Sequence, residues 1–168
     1  MILHICEWLE QIRWIIAVNS SPSGAVIVEL IHYLSFFLLI GTIAFVDLRV
    51  LGIAARKQSV TAIAEQLFPL TWLGLTFATL SGFILFAGYA TAFVRTDVFQ
   101  FKIFVILAAA IFGFLVQWRI TRQARLSAKS GKSVAPDFGT RLLALISLVL
   151  WIGAILASLE VAALTGLG

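Results

Sequence analysis

The sequence is short of most residues that carry chemistry. Cys6 is its only cysteine, so the chain cannot close an intramolecular disulfide. Its one methionine is Met1, and its two histidines are His4 and His32. Two histidines are too few for an electron wire of two bis-histidine haems. P-loop, dinucleotide and His-Glu-x-x-His zinc motifs do not occur. Charged residues make up 12% of the chain, about half the share usual in soluble domains.

What fills the chain instead is apolar. Hydrophobic residues reach 61% of 168 positions, more than a soluble fold of one domain can hide. A bilayer core of ~30 Å needs ~20 apolar residues in a helix. Four segments meet that length: 25–46, 67–90, 98–118 and 142–161. They are continuous runs rather than the ~10-residue alternating segments of barrel strands. Lipid leaves no backbone polar group unpaired, so helices are the solution. The expected fold is therefore all-α: a four-transmembrane-helix bundle in one domain.

The linkers that follow spans one and three, with the adjoining span ends, hold Arg49, Arg56, Lys57, Arg119, Arg122, Arg125, Lys129, Lys132 and Arg141. These are nine of the twelve basic residues, and four spans require both linkers to share one side. That side is expected to be the cytoplasm, with both termini on the periplasmic side of a bacterial inner membrane. A basic face of this kind contacts anionic lipid headgroups and gives no reason to expect nucleic acid. The start of the chain carries Glu7 and Glu10 and lacks a basic n-region, so it does not read as a cleaved signal. Residues 3–18 read instead as an interfacial amphipathic helix anchored by Trp8 and Trp14.

Between the spans, Ser59 is placed to cap a short amphipathic helix, and Pro69 predicts a break near the start of span two. The basic linker 121–139 reads as a polar connection without its own element. Gly74, Ala78 and Gly82, spaced by four, mark a face where another helix comes close, in a bundle or a homo-oligomer.

Ionisable residues inside spans are costly and point to function or pairing. Glu29 and His32 on span one, Lys102 on span three and Glu160 on span four all fall near the outer surface, with His4 on the same side. Three readings compete. Lys102 pairs with Glu29 or Glu160 as a structural tie. Alternatively His32, Glu29, Glu160 and His4 hold zinc or copper. Or His32, alone or with His4, ligates haem iron. At the inner end, Asp47 and Arg49 lie near Arg119; they read as a positive rim with one compensating acid, or as an Asp47–Arg119 pair that would join spans one and three. Cys6 has no basic neighbour except His4, two residues away, which is weak support for catalysis and leaves the question of an enzyme open.

Glu29-x-x-His32, Gly41 and Asp47-Leu-Arg49-Val-Leu-Gly52 form a pattern, followed by Trp72-x-Gly74, Ser81-Gly82 and Phe99-x-x-Lys102. It resembles a family of small four-span bacterial inner-membrane proteins distantly similar to the membrane domain of copper-resistance protein D. The resemblance implies a membrane bundle with a metal- or haem-related role around His32. The alternatives are a small oligomeric channel or transporter, or an accessory subunit of a larger membrane complex.

Overall fold

The computed structural model describes the backbone of residues 2–130 and 135–165 and the side chains of residues 2–126 and 135–159. It is all helix, with no strand among the described residues. The elements are α1 (Ile2–Glu10), α2 (Arg13–Ser20), α3 (Pro22–Val50), α4 (Val60–Gly88), α5 (Ala90–Val94), α6 (Asp97–Ser130) and α7 (Phe138–Thr165). Four of them, α3, α4, α6 and α7, are long and apolar enough to cross a membrane. The fold is that of a multi-pass membrane protein.

Local chemistry sets the helix ends. Ser21 accepts a hydrogen bond from the Gly24 amide at 3.3 Å and Pro22 occupies the first turn of α3, where its missing N–H costs nothing. Ser59 caps α4 through the Ala62 amide at 3.1 Å. Asp137 caps α7 through the Thr140 amide at 3.2 Å. At the far end of α3, Gly52 turns left-handed with φ +79°. Its amide returns to Arg49 O at 3.0 Å, and the Ile53 amide returns to Leu48 O at 2.9 Å. That double return is a Schellman stop, which a side chain at Gly52 would strain.

The helices outrun the segments expected from hydropathy alone. Pro69 produces no break, because α4 runs unbroken from Val60 to Gly88. The amphipathic turn and the span are one helix, and Pro69 sits on its exposed side. The linker 121–139 is likewise shorter than expected, since α6 stays helical to Ser130. Lys132 lies outside the described residues, as does the side chain of Lys129.

Residues 3–18, expected as one helix, form two, with an extended turn at Ile12 (φ −69°, ψ 118°). The reason is geometric. Cys6 and Ile15 are both buried, yet nine residues place them on opposite faces of a straight helix with 3.6 residues per turn. Breaking the helix lets both face the bundle. Glu10 fastens the end of α1 to α5, accepting from the Thr91 amide at 2.8 Å and from the Thr91 hydroxyl.

Within the bundle, α3 runs antiparallel along α4, and α6 along α7. The two hairpins join through α3 and α7, while α4 and α6 touch only sparingly. Two apolar layers form the core. One, near the α3–α4 loop, is built from Val46, Val50, Ile63, Val116, Ile120 and Ala144. The other contains Leu39, Val105, Ala109, Trp151 and Ala154.

The α3–α4 seam depends on small residues. A Cβ on Gly74 would meet Leu39 N at 2.9 Å and Ser35 O at 3.0 Å, both backbone atoms. Gly41, on the exposed face of α3, has nothing within 4 Å. Gly74→Ala is therefore expected to destabilise the protein in detergent by about 1–3 kcal/mol, through overpacking that backbone cannot relieve. Gly41→Ala should be neutral or stabilising by up to about 1 kcal/mol, from helix propensity. Thermal unfolding of the two variants checks this, and equal behaviour would contradict the packing.

Candidate functional site

Polar side chains gather at two levels of the bundle. The first surrounds His32, on the face of α3 that meets α4. Its Nδ1 lies 3.0 Å from Ala78 O and 3.2 Å from Ser81 Oγ. A carbonyl can only accept, so Nδ1–H is the donor to Ala78 and Nε2 carries the free lone pair of the neutral ring. Gly82 makes room: a Cβ there would lie 2.8 Å from His32 Cε1. Phe36 stacks on the ring at 6.3 Å between centroids. Glu29 and Lys102 are both near enough to act electrostatically on His32, and the Tyr33 hydroxyl is within hydrogen-bonding reach of Glu29.

The structure thus brings Glu29, His32 and Lys102 to one level. It does not pair Lys102, which makes no ion pair with any described carboxylate. His4 sits on the outer face of α1, 91% exposed and 3.5 Å from Glu7. The side chain of Glu160 lies outside the described residues. Among the described residues no group of three or more His, Cys, Asp or Glu side chains is arranged to hold a metal.

The second level lies toward the α3–α4 loop and overturns the expected Asp47–Arg119 pair. Arg119 instead meets Asp137, Nη1 to Oδ2 at 3.4 Å, and so ties α6 to the start of α7. Arg49 donates from Nε and Nη2 to Gln58 O at 2.8 and 2.6 Å, bracing the loop. Both guanidiniums find partners at the rim. Asp47, two residues before Arg49, points the other way and is 1% exposed.

Asp47 lines a cavity of about 60 Å³ between the two hairpins. Phe68, Thr71, Trp72 and Leu75 of α4 form one wall, and Gly113, Phe114 and Gln117 of α6 another. Trp151 of α7 closes the floor with Asp47. Ser147, completely buried, stands beside the carboxyl. Three polar atoms there, Asp47 Oδ2, Ser147 Oγ and Trp151 Nε1, are buried without a partner in hydrogen-bonding geometry. Each such group costs about 1–3 kcal/mol when nothing satisfies it, so this polar group is not explained by packing alone.

Gly113 keeps the chamber open. A Cβ there would lie 3.7 Å from Trp151 Nε1 and 3.8 Å from Ser147 Oγ, so larger side chains would project onto both. Thr71 donates to Thr42 Oγ1 at 3.0 Å, and Thr42 in turn donates to the α3 backbone at Leu38 and Leu39. Trp72 and Phe114 are about half exposed on the outer surface. The chamber therefore opens sideways, through the crevice where α4 and α6 scarcely meet.

Sequence reasoning singled out Asp47 but gave it the wrong partner, and it missed Ser147, Trp151 and Thr71. The available signal was spacing. Ser147 and Trp151 are four apart and share a face of α7 with Ala144 and Ala154.

Comparison with protein-family models, curated proteins and solved structures finds no match.

The Asp137 cluster beneath the chamber gives a pH test of the α6–α7 connection. Hydrogen bonding from the Thr140 hydroxyl, its amide and the Arg119 charge hold the Asp137 carboxyl below the usual range. A depressed folded value stabilises above the ordinary Asp pKa of about 3.9 and loses that contribution as pH falls through the folded value. Asp137→Ala should cost about 0.5–2 kcal/mol, as a lost cap. Protection factors for amide exchange at Phe138–Arg141, corrected for the intrinsic rate at each pH, should fall at acid pH in the wild type and be already low in the variant. Unchanged exchange in the variant would contradict the cap.

Proposed function

We propose that this chain is the subunit of a small-solute transporter of the bacterial inner membrane, with both termini periplasmic, and that the Asp47 chamber is its substrate station. One observation carries the reading: Asp47 of α3 and Trp151 of α7 line a single cavity between the hairpins, and each has a buried polar atom outside hydrogen-bonding geometry, as has the adjacent Ser147. A purely structural bundle gains nothing from such a layer, whereas a binding site needs it. The donor set is mixed. Asp47 accepts when ionised, Trp151 Nε1–H can only donate, and Ser147 and Gln117 do either. It suits a small polar solute better than a haem, whose ring exceeds the cavity.

The two apolar layers on either side support a carrier over an open pore, because neither leaves a polar path along the bundle axis. Four spans are few for alternating access. A homo-oligomer is consistent with this, with a second copy completing the path along the lipid-facing crevice between α4 and α6. Metal or haem ligation at His32 has one feature in its favour, the unbonded Nε2, and no assembled ligand set among the described residues.

The test is a thermal-shift screen of the detergent-purified protein against small polar solutes, followed by flux in proteoliposomes. A true substrate at 100 times its Kd should add about 2.7 kcal/mol of stability. That gain should vanish in Asp47→Asn and in Gly113→Leu, which fills the chamber, and persist in Asp137→Asn. A stabilising solute that acts equally on Asp47→Asn would overturn the assignment. A Soret band or stoichiometric metal in the purified protein, lost in His32→Ala, would move the site to His32.

A further inference from the structure

We infer that the Asp47 carboxyl is a proton-binding site, protonated in the resting protein and charged or discharged through water held in the chamber. The inference concerns the same chamber as the transporter reading, but it does not need that reading to be right.

The first support is that, among the described residues, no counter-charge faces Asp47. From α4 the chamber receives Phe68, Thr71, Trp72 and Leu75; from α6, Ala110, Gly113, Phe114, Val116 and Gln117; from α7, Trp151 and the adjacent Ser147. None is titratable or charged at neutral pH. Arg49, two residues along the chain, is held by Gln58 O, and Arg119 is held by Asp137. Arg141, in the first turns of α7, is exposed. A buried carboxylate with no cation beside it takes up a proton or an ion.

The second support decides between these two. Trp151 lines the same chamber, and its buried Nε1–H can only donate. A bare metal ion would leave that donor unpaired and would be repelled by its positive end. Water satisfies every group at once, accepting from Trp151 while donating to Asp47 or Ser147. A cavity of about 60 Å³ exceeds the ~15 Å³ needed to hold a water. The chemical step is a plain transfer. A hydronium in the chamber gives its proton to Asp47 Oδ2, an O–H bond forms there as one breaks on the hydronium, and a water remains; release is the reverse.

The third support is insulation. The layer of Val46, Val50, Ile63, Val116, Ile120 and Ala144 lies on the loop side, and that of Leu39, Val105, Ala109 and Ala154 on the other. Gly74 presses α4 onto the backbone of Leu39 and Ser35 between the Asp47 chamber and His32. A proton on Asp47 is thus held rather than leaked, as a coupled carrier requires.

Infrared difference spectroscopy of the protein in lipid tests this. At neutral pH a protonated-carboxyl C=O band is expected, one carboxyl per chain. It should shift on ¹³C-aspartate labelling and on exchange into D₂O, disappear in Asp47→Asn, and remain in Asp137→Asn. Raising the pH should remove it while the helical amide bands persist. A wild-type spectrum with no such band, or one in which the labelled band survives in Asp47→Asn, would overturn the proposal. Because the labelling works on the wild-type chain, a variant that fails to fold does not remove the test. Substrate binding lost in Asp47→Asn without any protonated band would leave the transporter reading standing and the proton site refuted. The band without any bound solute would do the opposite.

Discussion

The contact on which the rest of the molecule depends is the backbone-to-backbone approach of α3 and α4 at Gly74. The position admits no Cβ, because Leu39 N and Ser35 O already occupy the space. In lipid, helices are not driven together by burial from water, so dispersion at close range and hydrogen bonds must hold them. Close approach at Gly74 supplies the first and fixes the register for the second. With that register set, His32 falls on Gly82 and reaches Ala78 O and Ser81, one level away. Toward the other end, Thr42 falls opposite Thr71. The same rotation of α3 that turns Ser35, Leu39 and Thr42 inward continues to Val46 and Asp47, so the acid is delivered to the interior by the helix period rather than by a local turn.

That chain of placement explains why the membrane-spanning frame was legible in the sequence and the inner site was not. Long apolar runs, Ser59 as a cap and the Gly74–Ala78–Gly82 face are local or periodic signals, and each has its counterpart in the structure. The extent of the helices was less legible. Hydropathy marks where lipid ends, whereas Ser59 and Asp137 mark where backbone hydrogen bonding begins, several residues further out. The break at Gln11–Ile12 was invisible because it answers to the burial of both Cys6 and Ile15, a tertiary demand.

Asp47 was misread for a related reason. An acid two residues from Arg49 and one helix away from Arg119 looks like part of a charged rim. Its direction depends on the phase of α3, and the rim arginines had nearer acceptors in Gln58 O and Asp137. Neutral partners such as Ser147, Trp151 and Gln117 carry no mark in a single sequence, since serine, tryptophan and glutamine are ordinary in spans. At the His32 level, Glu29, His32 and Lys102, three of the four residues expected to converge, lie close enough to interact, and the side chain of Glu160 lies outside the described residues.

The two polar levels answer differently to the low dielectric around them. At His32 the ring's Nδ1 is paired with α4, so this level ties the hairpin together and costs little. At Asp47 the polar atoms of α3 and α7 remain unpaired across a gap that α4 and α6 do not close. The α3–α4 hairpin is welded by Gly74 and His32, and the α6–α7 hairpin by Arg119–Asp137 and the packing of Trp151 under Gly113. The weakest junction is therefore the one that borders the chamber. Any rearrangement that satisfies or exposes Asp47 has least to break if the two hairpins move as bodies, opening between α4 and α6 and pivoting on α3 and α7. The chamber thus lies where the bundle yields most easily, at the joint between the hairpins.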